Sequence, residues 1–169
     1  MKLSVGIACC AGLVALGCNP FDDPTPRELI VSTDQPSYRA SFVGVQGGYA
    51  AYQFQLVVRM QNVGSQQLNI GVPCGNTETP LYSVVMADGK SESAFNPVWT
   101  ACAPANHPVL APGETRVYTL TLRGPNAFSS DGPLPQAAGK MFLRLAIGGC
   151  KGDGACRDAI SNEFDVHLD

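Results

Sequence analysis

From Leu29 onward, apolar and polar residues alternate with a period of two, the spacing at which successive side chains of a strand point to opposite faces. Tyr52, Phe54, Leu56, Val58 and Met60 alternate with Gln53, Gln55, Val57, Arg59 and Gln61. A turn at Ala111-Pro112-Gly113-Glu114-Thr115 launches a second such segment, with Tyr118, Leu120 and Leu122 on one face and Val117, Thr119, Thr121 and Arg123 on the other. Met141, Leu143, Leu145 and Ile147 repeat the pattern against Phe142 and Arg144. Phe164, Val166 and Leu168 do so against Glu163, Asp165 and His167. Less regular segments at 28–33, 38–45, 67–72 and 81–87 predict further strands, the last closed by a turn at Asp88-Gly89. No window carries a sustained apolar stripe of helical period with caps, so helix is expected to be scarce. Short, half-polar strands separated by Gly, Pro, Asn and Asp turns predict an all-β fold, an antiparallel β-sandwich of about 7–8 strands, with a small barrel as the competing architecture.

The chain before these strands has another character. Lys2 is followed by an apolar or small stretch from Leu3 to Leu16, the layout of a targeting signal. A spanning helix needs roughly 20 apolar residues; this stretch is shorter and runs into Asn19-Pro20-Phe21-Asp22-Asp23, so residues 1–17 read as a removable signal. Val14-Ala15-Leu16-Gly17-Cys18 resembles the lipobox of bacterial lipoprotein signals. The resemblance implies cleavage before Cys18, diacylglyceryl attachment to its sulfur, and an anchor of palmitate-type acyl chains on the extracytoplasmic side of a bacterial membrane. Ala15-Leu16-Gly17 also fits the small-x-small site of an ordinary secretory signal, and that alternative stays open. Asn19, where an Asp marks inner-membrane retention, favours the outer membrane in a Gram-negative host. Residues 18–28 carry three prolines and form the tether, because proline favours extended backbone and offers no N–H to a sheet. At about 3.1 Å per residue the tether spans roughly 30 Å. Residues 29–169 then make one domain, long enough for a core of its own.

Cysteine parity agrees with acylation. Beyond Cys18 the chain holds Cys74, Cys102, Cys150 and Cys156, an even set for an oxidising compartment. Spacing alone does not choose among the possible connectivities. Cys150–Cys156 is favoured because the pair brackets the Gly-rich turn Lys151-Gly152-Asp153-Gly154-Ala155, which leaves Cys74–Cys102. A zinc site is disfavoured, since His107 and His167 do not sit at ligand spacing from these cysteines.

The formal charge is −3, with acids and bases scattered. No basic stripe offers nucleic acid or anionic headgroups a field, so membrane association is assigned to the acyl chains. Catalytic chemistry is thin: His107 lies in a proline-framed loop, His167 on a polar strand phase, and neither a Gly-x-Ser-x-Gly elbow nor a Ser-x-x-Lys motif occurs. Asp153 and Asp158 flank the Cys156 turn without the dense alternating acids of a calcium loop. Gly44 to Gly48 reads as a turn rather than a phosphate cradle, lacking a strand-then-helix context. No cofactor and no enzymatic activity are expected.

Over residues 52–123, an alternating strand ending in Asn62-Val63-Gly64 is followed by Leu68-Asn69-Ile70, then Leu81-Tyr82-Ser83-Val84-Val85, the turn Asp88-Gly89-Lys90, a Trp99 segment and Leu110-Ala111-Pro112-Gly113-Glu114-Thr115. This order resembles bacterial immunoglobulin-like domains of the type named after the intracellular proteinase inhibitor BsuPI, and Ser161-Asn162-Glu163-Phe164-Asp165-Val166 resembles the last strand of envelope Ig-like domains. The resemblance implies an Ig-like sandwich. No segment maps residue by residue onto an inhibitory loop. Trp99 is expected either to pack near a Cys74–Cys102 bridge, as Ig domains pack tryptophan on a disulfide, or to form with Phe95 and Tyr82 an exposed aromatic platform for a glycan or protein. The functional expectation is a membrane-anchored, non-enzymatic binding or structural module of the bacterial cell envelope, its partner an envelope protein or polymer. Inhibition of an extracytoplasmic protease is the alternative.

Overall fold

The computed structural model describes residues 28–73, 79–97, 108–126, 135–148 and 157–169. Among them the chain is all-β, with ten strands: β1 (Leu29–Thr33), β2 (Ser37–Gln46), β3 (Tyr49–Asn62), β4 (Leu68–Ile70), β5 (Tyr82–Met86), β6 (Val109–Leu110), β7 (Thr115–Gly124), β8 (Gly139–Gly148), β9 (Arg157–Ile160) and β10 (Phe164–Leu168). The expected sandwich is formed. The strands beyond the expected number are short pieces such as β6 and β9, too brief to show an alternation in sequence.

The layers follow from the pairing. In the first, β3 pairs with β7 along one edge and, along the other, with β2 near its start and β1 near its end, all antiparallel. In the second, β8 is central, paired antiparallel with β10, β9, β5 and β4, and β4 carries β6 at its side. β2 belongs to both layers: Ser37–Ala40 runs parallel to β10, the one parallel pairing between named strands, and Ser41–Gln46 pairs with β3. The sheet is therefore continuous through β2 and folded over on itself.

Asp34 sits where the chain leaves β3 to reach the second layer. Its backbone N–H donates to Val57 O at 3.0 Å, and its Oδ1 accepts the Val57 N–H at 2.9 Å and the Tyr38 hydroxyl at 2.7 Å. The carboxylate thus stands in for the strand that has departed, satisfying a ladder donor that would otherwise be orphaned. Burial opposes ionisation of Asp34, but the hydrogen bonds from Tyr38 and Val57 outweigh it and hold the carboxyl below its ordinary value. Tyr38, buried and hydrogen-bonded to Asp34, has its hydroxyl pushed up to about 12.

A second irregularity is written into β9 and β10, which run along the same β8. Between Ile160↔Arg144 and Phe164↔Met141, residues 161–163 face only Phe142 and Leu143, the count of a β-bulge. Ser161 repairs the ladder: its N–H donates to Leu143 O at 2.9 Å and its Oγ accepts the Leu143 N–H at 2.9 Å.

The core lies between the layers. Phe54, Leu56, Val58 and Met60 of β3 and Leu120 and Leu122 of β7 face Met141, Leu143 and Leu145 of β8 and Phe164 and Val166 of β10, the alternation read from the sequence. Leu168 is exposed; β8 pairs with β10 only as far as Val166, so among the described residues the end of β10 lacks a neighbour on that edge.

Candidate functional site

The sandwich has two dissimilar poles. At the base, Glu28 O accepts the Val63 and Gly64 N–H groups at 2.8 and 3.2 Å, fixing where the chain enters the domain. Asn62, fully buried, organises this end. Its Nδ2 donates to Gln66 O and Leu110 O at 2.7 and 3.0 Å, its Oδ1 accepts from Gly64 N, and its carbonyl accepts from Gly113 N at 2.9 Å. The Ala111–Glu114 turn is closed by the Glu114 carboxylate, which accepts the Ala111 N–H at 2.8 Å and Arg116 Nε at 2.9 Å. The Ala111 hydrogen bond first, and then Arg116, hold this carboxyl below its ordinary value despite partial desolvation.

The opposite pole is the β2–β3 hairpin. Gly47 and Gly48 have φ of +58° and +88°, the positive values that both central residues of a two-residue type I′ turn require. β7 reaches only to Tyr52, where Gly124 is its partner, and β10 reaches β2 only to Ala40. The hairpin therefore projects beyond both neighbours. Its pairs Phe42↔Tyr52 and Val45↔Ala50 continue the phase of Phe54, which is buried. Phe42 and Val45 are the core face of the first layer carried past the second and left exposed, whereas Tyr52 is half-buried against the core. Phe42 is 57% exposed and Val45 69%. Val43 and Tyr49 are also exposed, and the Phe42 and Tyr52 rings meet edge to face at 6.0 Å. No charged residue occurs from Ala40 to Val58. Large apolar side chains are thus exposed at this pole.

The residues singled out in the sequence fare differently. Phe95 and Tyr82 do not form a platform; both are buried in the core. Ser93 Oγ accepts the Phe95 N–H at 3.2 Å, turning the chain so that the Phe95 ring lands edge-on against Phe54 at a centroid distance of 4.9 Å. Tyr82 shares its phase with Val84 and Met86 on the inner face of β5, and burial raises its hydroxyl pKa. Trp99, His107, Asp153, Cys18, Cys74, Cys102, Cys150 and Cys156 lie outside the described residues. His167 is exposed, its Nε2 3.8 Å from Asp165 Oδ2. Asp158 is exposed and faces Arg144 Nε at 3.7 Å. Among the described residues no group of three or more His, Cys, Asp and Glu is placed to hold a metal ion, and no helix is long and apolar enough to cross a membrane. On the outer face of the second layer, Val85, Phe142, Arg144 and Ile160 border a shallow depression.

Sequence reasoning passed over the hairpin patch. The available signals were the charge-free run between Arg39 and Arg59 and the apolar residues on both phases at Phe42, Val43 and Val45. A strand apolar on both phases is either covered on both sides or exposed for a reason.

No protein-family model matches the chain, and no curated protein sequence does. Among solved structures it is similar to an X-ray structure of a structural-genomics consortium target, at 15% identity and a TM-score of 0.41 over 82% of this chain and 86% of that one. It is also similar to a crystal structure of a Bordetella pertussis protein given the name ApaA, at 20% identity and a TM-score of 0.38 over 83% of this chain and 93% of that one.

Proposed function

We propose that this chain is an extracytoplasmic bacterial lipoprotein, acylated at Cys18, whose sandwich works as a non-enzymatic binding or structural module held off an envelope membrane by residues 18–28. The observation that carries this reading is the opposition of the two poles. The chain enters the domain at Glu28, beside Val63 and Gly64, and the uncovered apolar hairpin stands at the other end of β3. A 14-residue strand at about 3.3 Å per residue separates the two by roughly 45 Å. An anchor at one end and an unsatisfied apolar surface at the other is the layout of a display module.

The disulfides belong to the same proposal. The pairing Ile147↔Arg157 brings together the two stretches of chain that lead to Cys150 and Cys156. The Ile70 N–H donates to Pro108 O at 2.8 Å, joining the stretches that lead to Cys74 and Cys102. These two contacts support the reading of Cys150–Cys156 and Cys74–Cys102.

Growth of the native host with a clickable fatty acid tests the anchor. The wild-type chain is expected to be labelled and to partition with membranes, while Cys18→Ala loses the label and is released or stalls in processing. Unlabelled wild-type protein in the soluble fraction contradicts the proposal.

A further inference from the structure

We infer that the outer face of β3 and β7 docks an anionic polysaccharide whose charges are widely spaced. The inference rests on the binding-module reading above and is independent of the anchor. The two strands pair without a register shift from Tyr52↔Gly124 to Gln61↔Thr115, so their outer face is long and regular. Three glutamines of β3 and three threonines of β7 point outward from it, with Arg59 toward one end and Arg123 at the other. Neither strand contains an Asp or Glu. Elsewhere Arg39, Arg116, Lys140 and Arg144 each face a carboxylate. Arg59 and Arg123 have no ion-pair partner among the described residues, and their cross-strand neighbours, Ser32 and Val117 for Arg59 and Gln53 for Arg123, are uncharged. The acid at the rim, Asp34, already accepts from the Val57 N–H, the Tyr38 hydroxyl and the Gln35 amide. Two exposed guanidinium groups are thus left for an anion from outside.

The chemistry of the face selects the partner. A guanidinium binds a carboxylate or phosphate through two parallel N–H donors, and the amides and hydroxyls between the arginines both donate and accept, as sugar hydroxyls do. Arg123 lies opposite Gln53, so the two cations are roughly 20 Å apart at strand spacing. That interval calls for anionic groups separated by neutral sugars. Nucleic acid fits less well, since a duplex carries a charge about every 1.7 Å and a chain of formal charge −3 opposes it with only two arginines here. A protein partner fits less well too, because the outward phase holds no aromatic residue around which a binding hot spot is built.

The test titrates the full-length protein, solubilised in detergent, with a hyaluronate octasaccharide, in which a carboxylate sugar alternates with a neutral one. Saturable binding is expected, weakening as salt is raised, and falling by at least about tenfold in the double variant Arg59→Gln/Arg123→Gln. The control, Arg39→Gln/Lys140→Gln, removes the same charge from the second layer and is expected to bind like the parent. All four side chains are exposed, so both variants are expected to keep the parent's thermal midpoint, which is checked alongside. No saturable binding below millimolar concentration, equal binding of a neutral dextran oligosaccharide, equal weakening by the control variant, or tighter binding of a short single-stranded DNA would each overturn the inference. Fatty-acid labelling of the same protein separates the two readings. Failed acylation with normal oligosaccharide binding removes the anchor and leaves this face; normal acylation without binding removes this face alone.

Discussion

Replacing Phe54 by Ala is expected to lower the unfolding free energy by about 3–5 kcal/mol. Phe54 is the centre of an aromatic cluster. Its ring lies 5.5 Å from Tyr38, 4.9 Å from Phe95 and 6.5 Å from Phe164, and Tyr38 in turn packs edge-on against Phe164 at 5.5 Å. These four residues come from β3, β2, the 92–97 segment and β10, so the cluster joins both layers and the segment that closes the tip end of the core. Truncation removes the apolar transfer energy and also leaves a cavity whose walls are held by the two sheets and cannot collapse freely. Urea unfolding followed by circular dichroism reads the effect. A loss under about 1 kcal/mol would mean that the walls do relax and that the cluster is not the keystone described.

Gly124→Ala is expected to cost about 3 kcal/mol, at the upper end for overpacking. A Cβ built on Gly124 would lie 1.9 Å from Ala94 O and 2.5 Å from Ala94 C. The obstacle is backbone, held in place because Ala94 N donates to Gln136 O at 2.8 Å while Gln136 N donates to Glu92 O at 2.8 Å. Neither side can yield without breaking this clasp, and behind it Phe95 would be lifted from Phe54. The same urea titration measures the loss. A variant within about 0.5 kcal/mol of wild type would show that β7 and the 92–97 segment do not approach so closely.

The parts of this fold that were legible in sequence are those where a single strand reports its own environment. β3, β7 and β8 each have one face on the core and one in water, so alternation alone identifies the strand and its buried phase. β6 and β9 were not legible, because a strand of two to four residues has too few positions to show a period. The crossing of β2 between layers was hidden for a different reason. It depends on Asp34, whose role in capping the Val57 N–H is a tertiary fact with no local signature. The aromatic platform failed at Phe95 and Tyr82 because composition says that an aromatic is near a turn but not which way the turn throws it. The Ser93 Oγ contact with the Phe95 N–H decides that direction. The hairpin patch is the converse case. Phe42 and Val45 continue a buried phase in sequence, and only the lengths of β7 and β10 reveal that the covering layer stops short.

The most direct measurement of the central claim, that the domain is held by its base and displays its tip, is the height of each pole above the membrane. The acylated full-length chain would be reconstituted in vesicles containing a headgroup acceptor dye. A donor is placed either at Ala111, in the base turn, or at Gln46, at the hairpin tip, one at a time. With the poles roughly 45 Å apart, energy transfer is expected to be strong from position 111 and weak from position 46. Equal transfer from the two positions, or stronger transfer from 46, would contradict the account.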